Sequence, residues 1–177
     1  YVPVFDEDME VVISRASKSS NPAYIRIGRG EPPKGYSIPA YEPWRELSSG
    51  GGGVVIVVGP LAGTYLEKFE KLSVESRPNL WVVAELPIER NPLPQELLIQ
   101  IENSSYLCVA EEHVQRGGFG SELLLHLAGK NIMINRFFHF YAIAHDFDRH
   151  GSQNFLRKQS SLDVDSLLEK LIKYDYA

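Results

Sequence analysis

The sequence is short of several things that would point to a function at once. It holds one cysteine, Cys108, so no internal disulfide can staple the fold. A lone thiol suits a reducing compartment, and the cytoplasm is the expected location. No apolar run approaches the ~20 residues of a membrane span, so no membrane partner is expected. Basic residues are outnumbered, 18 Lys and Arg against 23 Asp and Glu for a net charge of −5. That balance argues against a whole-protein footprint on nucleic acid. Neither Gly-x-Gly-x-x-Gly nor the phosphate loop ending in Lys-Ser/Thr occurs, so the two common nucleotide fingerprints are unmet. Without a Gly-x-Ser-x-Gly elbow, nothing indicates a serine hydrolase. The chain opens on Tyr1-Val2-Pro3-Val4 rather than on methionine, in the manner of a fragment or a processed piece.

What is present suits a globular domain, or one domain and part of another: 177 residues, 44% hydrophobic and 23% charged. Met9, Val12, Ile13 and Ala16 fall at helical spacing over residues 7–17, with Asp6 or Asp8 as its cap. Ala23, Ile25 and Ile27 alternate with Tyr24 and Arg26 as in a half-buried strand. One helix and one strand cannot bury their own apolar faces. Residues 1–31 therefore read as the tail of a domain whose body lies elsewhere, or as a segment docked on a partner. Residues 32–53 carry Pro32, Pro33, Pro39 and Pro43, then a flexible loop at Gly50 to Gly53, and read as a linker. Tyr36, Tyr41 and Trp44 imply that this linker packs against something.

From Val54 to the end, strands and helices alternate. Val54 to Val58 is a β-branched run of the kind covered on both faces. Further strands are expected at Leu80 to Ala84, Tyr106 to Ala110 and from Ile132, with a fifth at Phe140 to Ala144. Helices are expected over 64–72, 95–102, 121–128, 153–158 and 164–173, the last two capped by Ser152 and Asp163. Repeated βαβ units give an α/β fold, a three-layer αβα arrangement around a mostly parallel five-stranded sheet over 54–177.

Several residues are candidates for chemistry. Gly117, Gly118 and Gly120 lie in a strand-to-helix turn whose amides suit an anion, or simply a tight turn. Glu111, Glu112 and His113 close a strand at its carboxyl end, where ligands bind in open α/β sheets; proton transfer and a subunit contact are both open. Arg29, beside Gly28 and Gly30, is a phosphate clamp or a surface arginine. His145, Asp148 and His150 suit a metal or a solvated loop. Cys108 sits within an apolar strand as an inert buried thiol.

Two stretches then combine. Pro22-Ala23-Tyr24-Ile25-Arg26-Ile27-Gly28-Arg29-Gly30-Glu31 resembles the end of the pyrimidine-binding domain of the transketolase superfamily. Val109-Ala110-Glu111-Glu112-His113, followed by Gly117-Gly118-Phe119-Gly120-Ser121, resembles the signature of that superfamily's C-terminal domain. The strand Val54 to Val58 and the tail His150-Gly151-Ser152 fit the same domain. Asn91-Pro92-Leu93-Pro94 stands where Lys-Pro-Leu-Asp is usual.

The resemblance implies the C-terminal part of a thiamine-diphosphate-dependent transferase that moves a two-carbon unit between sugar phosphates. The related alternatives are 1-deoxyxylulose-5-phosphate synthase and the beta chain of a 2-oxoacid dehydrogenase. A stand-alone anion-binding module is the reading from another class. Thiamine diphosphate and magnesium would belong to the parent enzyme and not bind this fragment alone. The fragment would be a scaffold and dimerisation piece that pairs with the rest of the enzyme or a companion subunit in a homodimer. Arg29 would grip the substrate phosphate of a sugar phosphate. Glu112, His113, Gly117, Gly118 and Gly120 would serve anion binding or an interface. No catalytic residue and no metal ligand is expected in the chain itself.

Overall fold

A computed structural model describes residues 1–143 and 150–175. Helix α1 (Met9–Lys18) follows a 3-10 turn, and strand β1 (Trp44–Ser48) comes after the proline-rich stretch. Then β2 (Val54–Val58), α2 (Ala62–Phe69), β3 (Asn79–Val83), α3 (Gln95–Asn103), β4 (Leu107–Glu111), α4 (Phe119–Gly129) and β5 (Phe137–Tyr141) alternate. Helices α5 (Gln153–Gln159) and α6 (Val164–Asp175) end the chain.

The sheet has the order β1-β3-β2-β4-β5. Strands β2 to β5 are parallel, and β1 joins the edge of β3 antiparallel, with Trp44 opposite Val83. All five residues of β2 are buried, as its β-branched run requires of a central strand. Val55, Val57, Leu80, Val82 and Cys108 pack against α2 and α6, while Val54, Ile56, Trp81 and Val109 pack against α3 and α4. The expected three-layer arrangement is therefore present. Ser152 and Asp163 cap their helices through the amides of Phe155 and Ser166.

The strands differ from expectation at the ends of the sheet. Residues 23–27 form no strand: their amides and carbonyls meet residue 1 instead (Arg26 N–H to Tyr1 O, 2.9 Å), and Tyr24 and Ile27 are exposed. The first strand lies in the stretch read as a linker, where Arg45, buried against Asp8, and Glu46 break the apolar pattern that marks a strand. The last strand is Phe137–Tyr141, and residues 132–134 are irregular chain that follows a turn at Asn131, whose φ is 57°.

Gly50 to Gly53 is pinned rather than loose. The amides of Gly50, Gly51 and Gly52 bond Asn79, Val74 and Arg77, and a Cβ on Gly53 would meet the Tyr106 ring. Tyr36 and Trp44 do pack, donating to the carbonyls of Leu47 and Asn91 at 2.7 and 2.8 Å. The N-terminal segment shares this core through Val4 and Phe5. Asp8 does not cap α1. Its carboxylate accepts the amides of Val4 and Phe5 and pairs with Arg45 at 2.5 Å, both side chains being 3% exposed.

Candidate functional site

The chain passes from β2 to β3 on one side and then crosses to β4 on the other, so the carboxyl ends of β2 and β4 flank the crossover point. The candidate residues gather there. Strand β4 ends on Glu111, which is 2% exposed. Its Oε2 accepts the Phe119 amide at 2.8 Å, and its Oε1 accepts the Gly120 amide at 2.9 Å and His139 Nε2 at 2.7 Å. Those amides open α4, so the positive end of that helix is matched by the chain's own carboxylate. Burial by itself would raise the Glu111 pKa. The hydrogen bonds from His139, Gly120 and Phe119 outweigh it, and the net shift is downward.

The glycines divide their work. Gly117 has φ of +74° and open space around it, so it shapes the turn. A Cβ on Gly118 would stand 2.6 Å from Glu111 Oε1 and overlap the Val114 carbonyl, and one on Gly120 would overlap the His139 ring. Gly118 and Gly120 make room for the carboxylate and the imidazole. Sequence reasoning grouped Glu111 with its two neighbours and missed this cap. The available signal was an acid closing a buried strand just before a glycine-rich helix start.

Glu112 points the other way. Its Oε1 accepts Arg157 Nε at 2.7 Å and Gln153 Nε2 at 3.1 Å, and its Oε2 lies 3.5 Å from an Arg26 guanidinium nitrogen. Arg26 belongs to a strap, residues 22–31, laid across this edge of the sheet. Added side chains on Gly28, Gly30 and Gly63 would strike Pro60, the Val4 carbonyl and the Glu31 carbonyl, so all three allow the strap to lie flush on the start of α2. Arg29 is exposed on the strap and lines a cleft of about 490 Å³ with Thr64, Gln153, Asn154 and Arg157.

A second cleft of about 560 Å³ lies between the strap and the ends of β2 and β4, bordered by Val58, Glu111, His113, Gly117 and Gly118. The His113 ring is exposed, with Nδ1 3.2 Å from the Val114 carbonyl. The structure thus gathers Glu111, His113 and the glycine turn at one cleft, puts Arg29 at the other, and sets Glu112 between them. Cys108 is fully buried, and burial pushes its thiol pKa up. His145 and Asp148 lie outside the described residues, and among the described residues no three His, Cys, Asp or Glu side chains converge on a metal-sized site.

No protein-family model matches the chain. It is similar to the 1-deoxy-D-xylulose-5-phosphate synthase of Nitratidesulfovibrio vulgaris, 28% identical over 174 residues that cover 93% of this chain and 26% of that protein. The enzyme of the same name from Dehalococcoides mccartyi is 26% identical across 96% of this chain and 27% of its own length. Among solved structures, a split-gene transketolase described as an inactive beta4 tetramer aligns with a TM-score of 0.76 and 23% identity, over 98% of this chain and 56% of that one. The chain is thus similar in sequence to these synthases and similar in fold to that transketolase. It spans about a quarter of the length of the curated relatives it matches over most of its own length.

The glycine-rich helix start does not fit the diphosphate of thiamine diphosphate. The glycine-rich helix start is the natural cradle for a diphosphate. Its Phe119 and Gly120 amides are already taken by Glu111, whose charge would repel one.

Proposed function

We propose that this chain is the C-terminal portion of a thiamine-diphosphate-dependent, transketolase-like transferase that moves a two-carbon unit onto a sugar phosphate. In this reading residues 1–31 are the end of a pyrimidine-binding domain, 32–53 a connection, and 54–177 the C-terminal domain. The chain supplies scaffold and dimerisation surface as well as the phosphate-gripping Arg29. Thiamine diphosphate and magnesium are held by the rest of the enzyme, which acts in the cytoplasm. The observation that carries the proposal is the docking of the Arg29 strap. Arg26 of the first stretch that resembles the superfamily faces Glu112 of the second, while Gly28, Gly30 and Gly63 let the strap lie against Val4, Pro60 and the start of α2. Capture of free anions by the glycine turn is disfavoured, because Glu111 occupies it.

A second reading concerns the donor. The named sequence relatives form a 1-deoxy sugar phosphate. Such a product lacks the first hydroxyl, and a 2-oxoacid that loses carbon dioxide would supply a two-carbon unit without it, whereas an ordinary ketose phosphate would carry the hydroxyl over.

The test is an assay of the complete gene product, or of this chain with its companion subunit, with thiamine diphosphate and magnesium. A ketose phosphate and a 2-oxoacid serve in turn as donor, with an aldose phosphate as acceptor. Transfer that depends on the cofactor is expected from the complete protein. No transfer with either donor would overturn the proposal.

A further inference from the structure

We propose that Glu112 is a positioning residue that fixes Arg29 against α5 and so sets the grip on the substrate phosphate; this rests on the phosphate-binding reading of Arg29 given above. Glu112 joins the strap that carries Arg29 to the α5 wall of the Arg29 cleft. On the strap side it faces Arg26, three positions before Arg29, at 3.5 Å. On the α5 side it accepts from Gln153 and Arg157, which themselves line the cleft.

The pairing is built rather than incidental. The Glu112 and Arg157 side chains are 14% and 8% exposed, and Arg157 Nη2 is buried without a hydrogen-bond partner, so Glu112 is the acid that balances this guanidinium. Past Arg29 the strap is pinned again, where Gly30 lies against Val4 and Glu31 against Gly63. Arg29 therefore stands between two anchors and makes no ion pair of its own within 4.0 Å among those described. Removing the Glu112 charge frees the first anchor and loosens the facing wall together. A phosphate held between Arg29 and the α5 wall would feel that change; a substrate without a phosphate would not.

The experiment uses the complete enzyme with its cofactors, and compares a phosphorylated acceptor with the matching unphosphorylated aldose. Arg26→Ala, a change at a partly exposed side chain, and Glu112→Gln, which keeps the shape, are each combined with Arg29→Ala. Arg26→Ala should raise KM for the phosphorylated acceptor about threefold to fivefold, in line with its partly exposed ion pair, and Glu112→Gln, which also leaves the buried Arg157 without its acid, by at least as much. The kcat and the KM of the unphosphorylated acceptor should stay as they were. Added to Arg29→Ala, Arg26→Ala should cost nothing more, and Glu112→Gln less than it does alone, because the Arg29 contact they serve is already gone. Equal effects on both acceptors, no effect, or losses that add to those of Arg29→Ala would overturn the positioning role. If Arg29→Ala itself fails to separate the two acceptors, the phosphate reading of Arg29 falls first, and this proposal with it.

Discussion

At the scale of single residues, the clearest result is that one carboxylate closes the anion site that the glycine turn suggests. Glu111 binds two helix-opening amides and His139 in a buried setting, so its proton affinity is lowered on folding. The unfolded chain then holds more protons at Glu111 than the folded one. The stabilisation is present above the unfolded pKa of about 4.3 and is lost as pH falls through the lower folded value. Glu111→Gln should destabilise the protein by about 1–3 kcal/mol at neutral pH. It should also flatten the fall in melting temperature below about pH 5. Circular-dichroism melts from pH 7 to pH 3 check this, and parallel curves for the two proteins would contradict it. Gly118→Val should lose about 1–3 kcal/mol by crowding the same carboxylate. Its φ of −81° is ordinary, so overlap and not backbone strain is the cause. Melts with tens of millimolar phosphate should show no gain over a chloride control in either protein. An unchanged melting point with lost phosphate protection would restore the anion-binding reading.

At the scale of elements, the segments around the sheet carry more of the organisation than the helices do. The Asp8–Arg45 pair locks the entry to α1 onto edge strand β1, with Arg45 also near the ring of Tyr41. Asp8→Ala would leave a buried guanidinium uncompensated and strip an acceptor from the amides of Val4 and Phe5. A loss of about 3–5 kcal/mol is expected, read from urea unfolding. A loss below about 1 kcal/mol would mean that the pair behaves like an exposed one. Helix α1 itself uses only part of its apolar side. Val12 is buried while Ile13 is 54% exposed. That half-used face agrees with the proposal that residues 1–31 end a larger domain.

At the scale of the whole molecule, the described residues form an αβα layer structure joined to a docked strap. The strap's arginine faces a cleft that this chain only partly encloses. The chain by itself should show no two-carbon transfer with added thiamine diphosphate and magnesium, because its glycine-rich helix start is closed by Glu111. Measurable transfer by the purified chain would contradict this, whatever the complete gene product does.

The sequence by itself determined the parallel sheet, the buried run of β2, the inert Cys108 and the caps at Ser152 and Asp163. Each of these follows from periodicity or from a neighbour a few residues away, and local preferences act before any distant contact exists. Only the tertiary structure decided which polar residues meet. Residues 23–27 alternate like a strand yet find no ladder partner, and Trp44–Ser48 becomes one because β3 offers an open edge. Glu111 and Glu112 are adjacent in the chain, but Glu111 is the last residue of β4 and Glu112 the first beyond it, and their side chains turn to opposite sides of the sheet. One therefore turns to α4 and His139 and the other to Arg26 and Arg157. Their roles depend on partners 28 and 45 residues later in the chain, and no local pattern records a contact made across such a distance.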